Sequence, residues 1–261
     1  MKIIDLAETH KADFICCLED WSEEAKEAGT HRSGWYASMR EEGLRVKLAT
    51  DEEGTVGGMI QYAPIESTHV EGEGFHFVYC IWVHGYKKGR GNYQKQGMGK
   101  ALLAAAEDDV RARGGRGLVV WGIRLPFWMK ASWFRKQGYQ KVDRDGIAIL
   151  LWKPFTEDAE PPRWHKQKKS PEATTGKVTV TSFVNGWCMA QNIVHERAKR
   201  AVAEFGDQVE YREIDTRDED VFGEWGIVDA LYIDGKRINT GPPPSYEKIR
   251  KKIANRVKAI S

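Results

Sequence analysis

Cysteine is scarce in this 261-residue chain. The four residues, at 16, 17, 80 and 188, show neither metal-ligand spacing nor a disulfide framework, so no metal site is expected. That usage points to a reducing, cytoplasmic setting. No uncharged run of about 18 residues occurs, so no segment reads as a membrane span. The opening, Met1-Lys2-Ile3-Ile4-Asp5-Leu6-Ala7-Glu8, is broken by acids before an apolar core of signal-peptide length can build up. Net charge is scarce as well. Forty Lys and Arg against 38 Asp and Glu leave +2, so no global field argues for nucleic acid or an acidic membrane as partner. Both the dinucleotide fingerprint GxGxxG and the nucleotide loop GxxxxGK[ST] are missing. What is present, 41% hydrophobic and 30% charged residues, is the balance of a soluble globular protein of one large or two modest domains.

The most informative stretch is Gln94-Lys95-Gln96-Gly97-Met98-Gly99. An apolar strand, Phe75–Val83, precedes it, and Lys100-Ala101-Leu102-Leu103-Ala104-Ala105-Ala106-Glu107 follows with strong helix formers and no Gly or Pro. Glycines at a helix mouth let backbone N–H groups approach a phosphate, and the helix dipole adds partial positive charge. The helix, Met98–Arg113, stops at Gly114-Gly115. A buried-strand pattern, Gly117–Gly122, comes next, then a helix from about Phe127 to Gln137 that ends at Gly138-Tyr139. The glycine loop resembles the Gln/Arg-x-x-Gly-x-Gly/Ala signature of the GNAT N-acetyltransferases. Ala131-Ser132-Trp133-Phe134-Arg135-Lys136-Gln137-Gly138-Tyr139 resembles that family's second motif. The resemblance covers residues 1–155 and implies a mixed sheet flanked by helices, with acetyl-CoA (acyl-CoA) as co-substrate. It also implies an amine acceptor, either a small molecule or a peptide, attacked directly. Ahead of the motif, strands are expected near Lys2–Asp5, Arg45–Thr50 and Val56–Ala63, a helical stretch at Lys11–Asp20, and a polar aromatic loop at 29–36.

Residues 156–176 read as a Pro- and Lys-rich linker, whose Arg163, Lys166, Lys168 and Lys169 are better explained by solvation than by nucleic acid. Residues 177–261 form a second pattern. A strand at Val178–Val184 leads to a helix from Cys188 to about Phe205, followed by a strand at Val209–Asp215 and a short helix at Asp218–Trp225. A hairpin of Ala230–Ile233 with Lys236–Asn239 turns at Asp234-Gly235, and an amphipathic helix carries Tyr246, Ile249, Ile253, Val257 and Ile260. The order β-α-β-α-β-β-α, with Trp187-Cys188 at the first strand-to-helix turn, resembles the thioredoxin and glutaredoxin fold. The whole is similar to the YoaP-like group of N-acetyltransferases. The fold class expected is therefore α/β, a GNAT-like domain followed by a smaller thioredoxin-like one.

Amide formation from a thioester needs a held cofactor, a neutral amine and a stabilised oxyanion. The resemblance implies that Gln94, Lys95, Gln96, Gly97, Met98, Gly99 and Lys100 hold the pyrophosphate. It further implies that strands Phe75–Val83 and Gly117–Gly122 splay around the pantetheine arm, which then meets Ile81, Trp82 and Val83. A backbone N–H near Trp82 or Val83 would serve the oxyanion. Phe134 stands where the family often keeps a tyrosine acid, so Tyr86, Tyr93 or solvent must protonate the thiolate. Glu73 and His76, at the start of the central strand, are base candidates. His76 and Cys80, four apart on a strand, are expected to share a face. Trp21, Trp35 and Tyr36 flank the early loop and offer an aromatic wall. Cys188, at a helix N-terminus, is the other chemical candidate. Its resolving partner is replaced by Gln191, and Asp229 replaces the cis-proline of the thioredoxin resemblance. Two alternatives stay open: a degenerate acyl-CoA sensor, and a monothiol protein acting through Cys188. Oligomeric state cannot be read.

Overall fold

The computed structural model describes residues 1–124, 128–238 and 243–260. The chain divides into two compact units, Met1–Ser22 with Tyr36–His165, and Glu23–Trp35 with the chain from Lys166 onward. In chain order the first half supplies β1 (Lys2–Asp5), α1 (Lys11–Ile15), α2 (Glu23–Glu41), β2 (Arg45–Thr50), β3 (Val56–Pro64), β4 (Val70–Glu71) and β5 (Phe75–Val83). Next come α3 (Met98–Ala112), β6 (Gly117–Ile123), α4 (Ala131–Arg135), β7 (Gln140–Asp145), β8 (Ala148–Pro154) and β9 (Arg163–Trp164).

Seven strands of the first unit form one sheet in the order β1-β2-β3-β5-β6-β8-β7, antiparallel throughout except for the β5–β6 pair. A parallel pair requires a crossover, and α3 is that crossover. It lays Leu102, Leu103, Ala106 and Val110 on the sheet residues Ile60, Val78, Leu118 and Val120, all nearly or fully buried. Leu102 and Leu103 each contribute on the order of 1.5–3 kcal/mol by leaving water. Phe134 of α4 joins the same core with no exposure. Behind it Tyr139 donates to Glu107 Oε1 at 3.0 Å, and Lys153 pairs with Glu107 Oε2 at 2.8 Å, so the carboxylate is satisfied from two sides.

The second unit holds β10 (Val178–Val184), α5 (Met189–Ala203), β11 (Val209–Asp215), α6 (Glu219–Trp225), β12 (Ala230–Ile233), β13 (Lys236–Arg237) and α7 (Tyr246–Ile260). Its sheet runs β11-β10-β12-β13, parallel at β10–β11 and antiparallel elsewhere. Asp234 and Gly235 have φ of 46° and 69°, the paired positive values of a tight hairpin turn. The apolar stripe of α7, Ile249, Ile253 and Val257, packs with Val194, Ala198 and Ala201 of α5 and with Val178 and Val180.

Three local expectations differ from the structure. Residues 29–36, read as a loop, lie inside the 19-residue helix α2. Its first thirteen residues belong with the second unit, where Arg197 clamps Glu24 at 2.8 and 2.5 Å and His31 meets Glu196 at 2.6 Å. Arg32, 1% exposed, donates to the Trp187 carbonyl at 2.5 Å. Within the stretch read as linker, Arg163–Trp164 form β9 and pair with β4, a strand that the sequence did not announce. The helix expected from Phe127 spans Ala131–Arg135, and Phe127 itself, like Asn239 of the expected last strand, lies outside the described residues.

Candidate active site

The β5–β6 ladder runs from Phe75/Gly117 to Val78/Val120 and stops there, although β5 continues to Val83 and β6 to Ile123. Beyond that point β5 stays paired with β3, and β6 with β8. A gap therefore opens inside the sheet. Its cause is a bulge in β5: Gln61 opposes Cys80 while Tyr62 opposes Val78, leaving Tyr79 as the extra residue. The Tyr79 carbonyl, turned out of the ladder, accepts the indole N–H of Trp121 at 2.8 Å. That bond satisfies the carbonyl at the point where the strands part.

Beyond the bulge, hydrogen-bond alternation fixes which amides face the gap. The His84 N–H donates to Gly57 O, toward β3, at 2.9 Å. Two residues earlier Trp82 points the same way, so the N–H groups of Ile81 and Val83 face the gap. Of the two residues expected near the oxyanion, Val83 has this orientation and Trp82 does not.

The gap ends at the glycine loop. A Cβ placed on Gly99 would lie 3.8 Å from Val83 Cγ2 and 3.5 Å from the Trp133 ring, which brings loop, strand end and α4 together. Gly97 is the N-cap of α3, with φ 89° and ψ −12°, a left-handed conformation that glycine adopts without strain. No side chain caps this end, and no acidic residue stands in the first turn. Ala101 N donates to Gly97 O at 3.1 Å, so the amides of Met98, Gly99 and Lys100 precede the first intrahelical donor. Gln94, Lys95, Gln96 and Lys100 are exposed around them, and Lys95 also has positive φ, at 65°. Three amides ahead of the first intrahelical donor, a helix dipole and two lysines give this end the character that suits an anion.

The catalytic candidates separate. Glu73 is exposed and precedes the closed end of β5. His76 pairs with Leu118 at that same end and sets its ring 6.2 Å from that of Tyr62. A Cβ on Gly115, just past α3, would lie 3.4 Å from its Nδ1. Burial lowers the His76 pKa. The structure does not bring Glu73 or His76 to the gap. Nor do His76 and Cys80 share a face. His76 is on the α3 side with Val78, and after the bulge it is Ile81 and Val83 that pack into the α3 core. The extra residue shifts the alternation by one, turning Cys80 and Trp82 to the other side.

Tyr93 is also diverted. Its hydroxyl donates to Asp51 Oδ2 at 2.7 Å, pinning the loop after β5 to the β2–β3 turn, and Gly57 leaves room for its ring. Tyr86 instead stands 46% exposed beyond the end of β5, its ring 6.1 Å from Trp82, 5.8 Å from Trp21 and 5.5 Å from His84. Burial, then the nearby Glu19 and Cys17, raise its pKa, so the hydroxyl keeps its proton at neutral pH. Trp21 of the expected aromatic wall is here, whereas Trp35 and Tyr36 lie within α2. On the face away from α3 the sequence reading also missed His69. It stacks on Trp164 of β9 at 5.9 Å and meets Phe77 at 4.9 Å, and burial pushes its pKa down to about 3. Neither the Tyr79 bulge nor the Trp121 bond leaves a local signal in composition, because each answers a tertiary pairing.

Cys188 is the N-cap of α5 and 7% exposed, without a disulfide. The neighbouring Gly186 approaches so closely to α2 that a Cβ there would lie 2.7 Å from the His31 carbonyl. The turn carrying Cys188 is thus overlaid by residues 31–35.

The profile of the acetyltransferase (GNAT) family matches residues 5–139. The chain belongs to that family. Several solved structures are similar. One is a GNAT family acetyltransferase from Brucella melitensis in complex with acetyl-CoA: 17% identity, covering 61% of this chain and 91% of that one, TM-score 0.42. Another is a GNAT family N-acetyltransferase from Escherichia coli in complex with CoA: 16% identity, 63% and 89% covered, TM-score 0.45. A GNAT acetyltransferase from Desulfovibrio desulfuricans shows 21% identity, 59% and 98% covered, TM-score 0.45. A comparison with curated proteins finds no match. Among the described residues no helix is long and apolar enough to cross a membrane.

Proposed function

We propose that this acetyltransferase moves an acetyl group from acetyl-CoA to a primary amine, on a small molecule or a peptide, by direct attack and without a covalent enzyme intermediate. The observation that carries the reading is the alignment of the β5–β6 gap with the N-terminus of α3. In this reading the diphosphate lies on the amides of Met98, Gly99 and Lys100, flanked by Gln94, Lys95, Gln96 and Gly97. The pantetheine arm follows Val83, Trp82 and Ile81 into the gap. An N–H of Ile81 or Val83 donates to the thioester oxygen as it becomes an oxyanion, an interaction worth about 10²–10³ in rate. The amine approaches from the face away from α3, where Trp82 and Tyr86 stand. The new C–N bond forms, the C–S bond breaks, and Tyr86 protonates the departing thiolate. Phe134, wholly buried, takes no part in this.

The second unit we read as a thioredoxin-like appendage of the YoaP-like kind, supported by its element order and by Trp187-Cys188 at the first strand-to-helix turn. Residues of α2 overlie that turn, so Cys188 acts there as a buried structural thiol. Four cysteines without a disulfide fit a cytoplasmic protein. The test is to incubate the full chain with acetyl-CoA and a panel of amines and to follow free thiol release. Transfer that depends on the amine supports the reading. Tight acetyl-CoA binding with no transfer to any amine would favour a sensor.

A further inference from the structure

A carboxylate stands beside Tyr86 that the family reaction, as described, does not use. Glu19 follows α1 in a turn held by two consecutive left-handed residues, Cys17 at φ 55° and Leu18 at φ 63°. Its own N–H donates to Cys16 O, and its carbonyl accepts from Ser22 N, both at 2.9 Å. Left-handed backbone at two such residues is strained and persists only where the surroundings impose it. The side chain is half-buried, with no ion pair or hydrogen bond among the described residues. Burial raises its pKa.

Around it the rings are fixed. Trp21 donates its indole N–H to His84 Nε2 at 3.3 Å, and His84 holds the Gly91 carbonyl through Nδ1 at 2.5 Å, so both histidine nitrogens are committed. Gly89 is required here, because a Cβ would lie 2.2 Å from Trp21. The face of Trp21 already carries a cation of the chain, Lys88 Nζ, at 4.6 Å. Arg90 is bound to Asp13 at 2.6 Å and to Asp20, and is not directed at Glu19. The charge of Glu19 reaches Tyr86, on the loop after β5, where it helps to raise the tyrosine pKa.

We infer that Glu19, with Trp21, Tyr86 and Trp82, receives the acceptor as a primary ammonium ion and takes its proton. This rests on the acetyl transfer proposed above. R–NH₃⁺ gives one proton to the Glu19 carboxylate, leaving a neutral amine. The nitrogen lone pair attacks the thioester carbon and the C–S bond breaks. The second nitrogen proton and the thiolate combine through Tyr86 or water, giving the amide, free CoA thiol and, from Glu19, one proton to solvent. The acceptor class is thus a small alkylamine that arrives charged, rather than an arylamine or an acid-flanked amine.

The experiment uses the full chain with spermidine, tyramine and lysine amide as probes, thiol release being followed from pH 6 to 10 beside acetyl-CoA titration calorimetry. E19Q should bind acetyl-CoA within twofold of the native chain and lose about 10²-fold or more in kcat/KM at pH 7, the scale of a general base. That deficit should narrow above pH 9, where the amine arrives already deprotonated. A uniform deficit at all pH, an unchanged kcat/KM, or lost acetyl-CoA binding by E19Q would each overturn the inference. So would a native chain that binds acetyl-CoA yet acetylates none of the three amines. A native chain that does not bind acetyl-CoA would instead remove the reading beneath it.

Discussion

Replacing Gly99 by alanine should stabilise the protein and weaken its hold on acetyl-CoA, two effects of opposite sign from one methyl group. The new Cβ would sit 3.5 Å from Trp133 and 3.8 Å from Val83, ordinary contact distances, so nothing in the free protein has to move. Gly99 lies in the first turn of α3 without a positive φ, where alanine is the better helix former by about 0.5–1 kcal/mol. For a unit of this size that corresponds to a Tm rise of about 1–4 °C. The same methyl projects beside the free amides of Met98, Gly99 and Lys100. Losing one charge-assisted hydrogen bond there costs about 1.5–3 kcal/mol, or roughly tenfold to a hundredfold in Kd. Calorimetry with acetyl-CoA and a thermal melt of the same G99A preparation read both quantities. A raised Tm with unchanged Kd would refute the placement of the diphosphate on this helix end, because the substitution would then have been felt by the helix and by nothing bound to it.

Tyr86→Phe should lower kcat by about 10²–10⁴ and remove the descending limb of the pH–rate profile, whereas Tyr93→Phe should spare the chemistry and cost about 1 kcal/mol in stability through the lost bond to Asp51; equal effects on kcat would contradict the separation. Cys188 should react with iodoacetamide only as the second unit unfolds, and selective labelling of the native protein at neutral pH would show that α2 does not shield it. The Glu24 carboxyl is held below the ordinary glutamate range by hydrogen bonds and charge from Arg197, then Arg200. Its stabilisation is complete above the unfolded pKa of about 4.3 and is lost as pH falls through the lower folded value. Thermal melts between pH 5 and 2.5 should therefore fall less steeply for Glu24→Gln than for the native chain.

The glycine loop, the strands around it and the terminal helix could be read from the sequence because their cause is local. Gly97 needs φ above zero at a helix mouth, Phe75–Val83 is apolar throughout, and Ile249, Ile253 and Val257 recur at helical spacing. What escaped has its cause elsewhere in the chain. Gly29, Thr30, Ser33 and Gly34 are poor helix formers, yet α2 runs through them because Arg197, Arg200, Glu196 and the Trp187 carbonyl bind its charged side chains. The shared face expected of His76 and Cys80 failed for a related reason. Counting by twos along β5 is sound until Tyr79, where one unpaired residue reverses the faces, and only the register with β3 reveals it. Glu19 gave no sign because its significance lies in a missing partner, which a sequence does not display.

That the second unit is built from two separate stretches of sequence bears on how the chain is made. Residues 23–35 leave the ribosome long before the helix that binds them: Arg32 waits for Trp187, 155 positions later, and Glu24 for Arg197, 173 positions later. Throughout synthesis of the sheet in between, this segment of weak helix formers carries Arg32 and Trp35 in water, although both end at about 1% exposure. Contacts so distant in sequence close late and slowly. The sheet with its gap can assemble while the nascent chain is still growing, whereas the first half of α2 acquires its permanent neighbours only once residues 187–200 have been made.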